Sequence, residues 1–391
     1  MSAHSADSAP GLNGGPDPSG APDDELFFVV PDGVDDEERV SGGNVYDRRV
    51  RDILSDRGRV VRQVATLQDA RAIAGALRGI PSGALVLIDG LIAVSAADVL
   101  AIESARLRLV VLAHTVLSLL PPTPADTHGA DPFERVAQER LALRAARLVI
   151  ATSDWTREEL AEQGLAEPDR VVVARPGIDR PAIAAAGRSI DGGRLLCVGV
   201  VAPHKGQDLL VQALAGLADL PGWTCTIAGS LDADPAFVFA LERQLAAAGI
   251  SDRVTFTGVL AADRLERAYA HAELLVAPSR VEAYGMAAAG AIARGIPVLA
   301  ARVGGLPEAV GAEPVGAEPV GPGAAASILI PPDDAWALRL ALHLWLTAPE
   351  LRAATTRAAV AAAAGSRSWD DTATDLERAL RSLAREEVTA A

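Results

Sequence analysis

The apolar residues of this chain come in two series of short bursts separated by amphipathic stretches. The first series reads ELFFVV, VVRQV, ALVLID, LRLVVLAH, LVIATS and RVVVARPGID, all between positions 25 and 179. Each burst has strand length and is rich in Val, Ile and Leu, which predicts strands buried on both faces. The stretches between them, including LQDARAIAGAL, AADVLAIESA, PFERVAQERLALRAA and WTREELAEQG, have the composition and spacing of helices. A polar loop, PDGVDDEERVSGGN, follows the first strand and leads to a helix predicted from Val45 to Asp56. The second series reads RLLCVGV, WTCTIAG, RVTFTG, ELLVAP, IPVLAA and ILIPP, again with helices between. Strands alternating with helices build parallel, doubly wound α/β sheets. Two such series in 391 residues predict two domains, each with its own core.

Punctuation sets the boundaries. Residues 1–24 are rich in Gly, Pro, Ser and Asp without periodicity and are expected to be a disordered tail. The first domain is placed at 25–182. Small, flexible residues in PAIAAAGRSIDGG mark a linker at 183–193, and the second domain at 194–365 follows. Helical sequence resumes from Asp333 to Ala364, broken near Pro349, and again from Trp369, so that 366–391 forms a terminal helix. GAEPVGAEPV at 311–320 is a five-residue tandem duplication, read as a tolerated insertion with an interaction loop as the alternative.

Composition narrows the function classes. Only 4% of residues are aromatic, so the cores must be packed with Ala, Val, Leu and Ile. No apolar run is long enough to span a bilayer and the amino terminus has no basic-then-apolar signal pattern, so a cytoplasmic protein is expected. Cys197 and Cys225 fall in strand-like bursts without zinc-ligand spacing and read as buried, reduced thiols. A net charge of -15 argues against nucleic acid as partner. It leaves room for a local basic contact with an anionic acceptor or, peripherally, a membrane. Arg48, Arg49 and Arg51 are candidates for such a contact, with a solvated helix face as the alternative. Among the 36 basic residues, Lys205 is the sole lysine, and Met286 is the only methionine after Met1. Both stand in motifs that can do chemistry.

The most informative run is SRVEAYGMAAAGAIARGIPVLAARVGGLPE, Ser279 to Glu308. It reads as a loop, a small-residue helix ended by Gly295 and Pro297, a strand, and a Gly304-Gly305 turn. Free amides at such a helix start form an anion site at the carboxyl edge of a parallel sheet. A second strand–loop–helix, VGVVAPHKGQDLLVQAL, carries Lys205 as a compact charge able to meet a diphosphate. A third, Ser41-Gly42-Gly43-Asn44, offers a glycine turn before a helix. His114 and Asp89 each end a strand. Asp232-Ala233-Asp234 has the spacing of a metal-binding acidic pair, but it stands in a loop of the wrong architecture and is read as chance.

These residues resemble family 4 of the retaining glycosyltransferases, whose GT-B fold sets two Rossmann-like domains face to face across a deep cleft. Pro278, Ser279, Arg280, Glu282, Tyr284, Gly285, Gly295, Pro297, Val298, Gly304, Gly305 and Glu308 fit the family's donor-binding pattern. The resemblance implies transfer of a sugar from a nucleotide-diphospho-sugar donor to an acceptor hydroxyl, without cofactor or obligatory metal. The acceptor class, whether glycan, lipid or small molecule, is left open. It implies that Lys205 and the amides of Gly285, Met286 and Ala287 meet the diphosphate. It further implies that Glu282 and His114 orient the sugar, that Gly43 approaches the donor phosphate or sugar, and that Gly258 and Val259 meet the base. The terminal helix is implied to cross back onto the first domain.

Two positions depart from the family. The second glutamate, expected eight residues after Glu282, is Gly290, and an arginine often found as a second phosphate contact is Val200, with His204 the nearby substitute. These departures leave a nucleotide-sugar-binding protein that has lost catalysis as the alternative. A nucleotide-sugar epimerase of related fold is the third reading.

Overall fold

The computed structural model describes residues 25–120, 131–179, 192–311 and 325–390, with side chains of the last segment described to Leu383. The expected tail, nearly all of the 183–193 linker and most of the 311–320 duplication lie outside the described residues.

The first domain opens with β1 (Glu25–Pro31), α1 (Gly42–Asp56), β2 (Val60–Thr66) and α2 (Ala70–Arg78). It continues with β3 (Leu85–Asp89), α3 (Gly90–Ser95), α4 (Ala97–Glu103) and β4 (Arg108–Ala113). It ends with α5 (Pro132–Ala145), β5 (Leu148–Ala151), α6 (Asp154–Glu162) and β6 (Val171–Val173). Its six strands are all parallel, in the order β2-β1-β3-β4-β5-β6. The order reverses direction between β1 and β3, where an open α/β sheet leaves a crevice beyond its carboxyl edge.

The second domain begins with β7 (Arg194–Val198), α7 (Gln207–Ala215), β8 (Thr224–Ala228) and α8 (Pro235–Ala247). Next come β9 (Val254–Phe256), α9 (Ala262–His271), β10 (Leu274–Ala277) and α10 (Met286–Ala293). β11 (Val298–Ala301), α11 (Leu306–Ala309), β12 (Ser327–Ile330), α12 (Ala335–Thr347) and α13 (Pro349–Ala363) complete it. The strand order is β12-β11-β10-β7-β8-β9, again entirely parallel. All twelve strands among the described residues coincide with the apolar bursts of the sequence.

The terminal helix α14 (Trp369–Ala390) returns to the first domain. Trp369, Ala373, Leu376, Leu380 and Leu383 form a stripe at helical spacing and bury against Leu26, Phe28, Tyr46 and Leu54. Burial of large apolar side chains contributes about 1.5–3 kcal/mol each, enough to hold the crossover in place.

One helix start and one additional helix differ from expectation. α1 starts at Gly42, three residues early, because the Ser41 hydroxyl accepts the Asn44 amide at 3.0 Å as an N-cap. The helix predicted from AADVLAIESA forms as α4, but a short helix absent from the prediction, α3, precedes it, because Asp89 Oδ1 accepts the Leu91 and Ile92 amides and caps its start. No helix among the described residues is long and apolar enough to cross a membrane.

Candidate functional site

The second domain brings Lys205 and Glu282 together. Lys205 stands in a single 3-10 turn, Pro203–Lys205, between β7 and α7. Glu282 lies in the loop from β10 to α10. The ammonium reaches Glu282 Oε2 at 2.7 Å, and the Ser279 hydroxyl approaches the same oxygen at 3.3 Å. Neither charge is fully buried, with 21% and 18% of the side chains exposed. The two loops are fastened to each other beside this pair. Gly206 adopts φ +69, and a Cβ there would fall 2.1 Å from the Pro278 carbonyl oxygen, so only glycine permits the approach. Arg280 clamps the far side, donating through Nη1 and Nη2 to Asp208 at 2.8 and 2.7 Å and through Nε to Asp333 at 2.7 Å.

A small cavity adjoins the pair, and its lining includes Lys205, Ser279, Glu282, Gly285, Ala287 and Gln207. At its rim α10 begins at Gly285, whose φ of +106 turns the chain into the helix without any side-chain cap. The first-turn amides therefore have no intrahelical acceptor, which together with the helix dipole favours an anion. Gln207 carries no sequence signal of its own, yet it is fully buried; its Nε2 donates to the Val200 carbonyl at 2.9 Å, and its Oε1 has no partner among the described residues. The surroundings of His204 disfavour a second cation there. Burial and the Lys205 ammonium pull its imidazole down to about 4, so it is neutral at pH 7.

Gly43, His114, Gly258 and Val259 lie outside that cavity's lining. Gly43 sits in the first turn of α1 against His114, and a Cβ there would come 3.2 Å from His114 Cδ2. The neighbouring Gly42 faces Met286 of α10 across the domains, its built Cβ 3.6 Å from the Met286 sulfur. Gly258, two residues beyond β9, has φ +67 and its carbonyl accepts the Gly229 amide at 3.0 Å, with Val259 following it.

His114 has unexpected company. Its Nε2 lies 2.9 Å from Asp47 Oδ1 and 3.2 Å from Asp89 Oδ2, both from buried carboxylates. One ring hydrogen cannot serve two carboxylates fully, and Asp47 Oδ2 has no partner among the described residues. Burial opposes a charged imidazole, but the two carboxylates outweigh it and push His114 up to about 10. Burial likewise raises Asp47 above its ordinary value, against the pull of His114. Nε2 is thus committed to carboxylates, and any sugar contact falls to the rest of the ring. Asp89 both caps α3 and holds His114.

Other candidates resolve into structure. Asp234 caps α8 by accepting the Phe237 amide at 2.9 Å. Arg49 pairs with Asp179, Arg51 bonds Asp35 and Asp52, and Arg48 donates to the Val34 carbonyl. These arginines are engaged within the fold. Cys197 and Cys225 are buried and unpaired with each other, and burial pushes the Cys197 thiol up to about 12. Gly290 is buried; a Cβ there would lie 3.3 Å from Arg294 Nη1 and 3.5 Å from the Tyr269 hydroxyl. Arg294 stacks over the Tyr269 ring and pairs with Glu266.

Residues 184–361 match the family described as glycosyl transferases group 1. That match falls on the second domain and takes in less than half of the chain. Over 216 residues the chain is 35% identical to the D-inositol 3-phosphate glycosyltransferases of Mycobacterium tuberculosis (strain ATCC 25618 / H37Rv) and Mycobacterium bovis (strain ATCC BAA-935 / AF2122/97). The match takes in 52% of this chain and spans 44% of the length of those curated relatives. Among solved structures, sucrose-phosphate synthase from Thermosynechococcus elongatus superposes with a TM-score of 0.73 at 21% identity, covering 94% of this chain and 100% of that one. Anabaena HepE, solved with UDP and glucose, gives 0.67 at 20% identity over 91% and 99% of the two chains. At these identities the likeness establishes the shared GT-B fold.

Proposed function

We propose that this chain is a retaining glycosyltransferase that moves a sugar from a nucleotide-diphospho-sugar to an acceptor hydroxyl, without a metal and in the cytoplasm. The observation that carries the reading is the Lys205–Glu282 pair, 2.7 Å apart beside the uncapped start of α10. Lys205 and the start of α10 both line one small cavity, an arrangement that suits a diphosphate. As the bond from sugar to diphosphate breaks, negative charge grows on the departing phosphate oxygen. Lys205 and the amides after Gly285 meet that charge with fixed dipoles, the electrostatic contribution that commonly dominates catalysis. Glu282 accepts from sugar hydroxyls with the oxygen not taken by Lys205. His114, locked by Asp47 and Asp89, presents a rigid ring from the opposite domain. HepE, which shares the fold, was solved with UDP and glucose, in line with a donor of this class.

A second reading is a nucleotide-sugar-binding protein without turnover. It is favoured by Gly290, whose environment is filled by Arg294 and Tyr269, and by the neutral His204 beside Val200. A panel of nucleotide sugars, assayed by mass spectrometry for transfer and for donor hydrolysis, separates the two. Product formation with any donor supports the first reading; saturable binding without turnover across the panel supports the second.

A further inference from the structure

The donor loop is held from both sides, and one of its holders belongs to the first domain. Within the second domain the loop rests on the Gly304-Gly305 turn. The Gly305 amide donates to the Glu282 carbonyl at 3.0 Å, and a Cβ on Gly304 would fall 1.8 Å from that same oxygen. One turn later α11 carries Glu308. Its carboxylate leaves its own domain and accepts the Asp154 amide, the first of α6, at 3.0 Å from Oε2 and 3.3 Å from Oε1. A free amide at a helix start and the helix dipole both favour a carboxylate there. Arg175, just after β6, pairs with Glu308 through Nε and with Asp154 through Nη2. Its own backbone is fixed by α14, where the Thr372 hydroxyl donates to the Arg175 carbonyl at 2.7 Å.

A direct contact parallels this one. Ser153, the N-cap of α6, donates its hydroxyl to the Ala283 carbonyl at 2.6 Å. Ala283 follows Glu282, the residue whose carboxylate meets Lys205. One peptide unit therefore separates a group gripped by the first domain from the group that pairs with the ammonium of the second. While that bond holds, a change in the angle between domains pulls on Ala283, next to Glu282 and the amides that follow.

We propose that Ser153, Arg175 and Glu308 form an interdomain clamp that positions the donor loop, so that the geometry of Glu282 and the α10 amides depends on the first domain. The clamp's importance for catalysis rests on the reading of 279–287 as the donor loop; its existence does not. Hydrogen exchange of the intact chain tests the clamp with no ligand at all. Glu308→Gln keeps an acceptor for Asp154 but loses the charge met by Arg175, and Ser153→Ala loses the 2.6 Å bond to Ala283 together with the cap on the Thr156 amide, leaving the Thr156 hydroxyl at 3.4 Å as the donor to that carbonyl. Each should raise amide exchange across 283–289 by about tenfold, the consequence of losing one charged or short hydrogen bond, while exchange in β7 and β8 stays as in the wild type. Glu308→Asp should restore protection in part. Unchanged exchange at 283–289 in both variants overturns the clamp. With a donor that turns over, Ser153→Ala and Glu308→Gln should raise its KM about tenfold with a smaller change in kcat. Should the wild type bind no nucleotide sugar while the exchange pattern holds, the donor reading fails and the clamp stands.

Discussion

Replacing Lys205 is the sharpest test of the site. Lys205→Met keeps most of the aliphatic stem, whose Cδ and Cε would lie 3.8 Å from a Cβ built on Gly199, and removes only the charge. Two losses follow. The diphosphate loses an ammonium, and a hydrogen bond to a charged group is worth about 1.5–3 kcal/mol. Glu282 also loses its 2.7 Å partner and keeps only the Ser279 hydroxyl at 3.3 Å, so an uncompensated carboxylate would face the donor's negative charge. Together the losses amount to about 3–4 kcal/mol in the transition state, or roughly 100- to 1000-fold in kcat/KM. Stability should change far less. Both side chains are about one-fifth exposed, and a partly solvated ion pair contributes about 1 kcal/mol or less. Steady-state kinetics with the best donor of the panel, alongside thermal unfolding of the same preparations, reads both numbers. A kcat/KM within about threefold of wild type, with the fold intact, would remove Lys205 from the mechanism.

Three further perturbations follow from the geometry. Gly304→Ala drives a Cβ into the Glu282 carbonyl at a position of φ +57; activity should fall more steeply than melting temperature, and unchanged kinetics would show that the turn does not set the loop. Gly290→Glu places its carboxylate beside the Arg294 guanidinium, so calorimetry should show little gain in nucleotide affinity until Arg294→Ala frees the new acid; a gain in the single variant would contradict that pairing. The third concerns pH. His114 is raised from 6.5 to about 10 by Asp47 of α1 and Asp89 of β3, so its contribution to stability is fully present below about pH 6.5 and is lost as pH rises through 10. Wild-type melting temperature should therefore fall from pH 7 to 10, and His114→Gln should flatten that slope; parallel curves would show that the histidine is not the titrating group.

Much of this molecule was legible in one dimension. A strand buried on both faces is a continuous apolar run, and a helix between strands shows its period, so twelve strands and two parallel sheets follow from local pattern. Lys205 and Glu282 were also accessible, because a loop after a strand and before a helix places its side chains at the sheet edge wherever the chain folds this way. The start of α1 was misread by a single cap: Ser41 binding Asn44 outweighs the low helix propensity of two glycines.

The rest depends on residues that meet only when both domains are assembled. Asp47 reads as an ordinary polar residue on a helix, and its burial against His114, 67 positions away, arises because α1 packs over the end of β4. Glu308 fits a family motif, but no local pattern tells that its carboxylate completes the start of α6 in the other domain or meets Arg175, 133 positions distant. The environment of Gly290 likewise is written by Tyr269 on a different helix. Local sequence determines which segments fold and which loops carry charge, since those depend on near neighbours along the chain. Which charges then face one another is decided by packing in three dimensions, where the energy of a pair depends on distance and burial and not on separation in sequence.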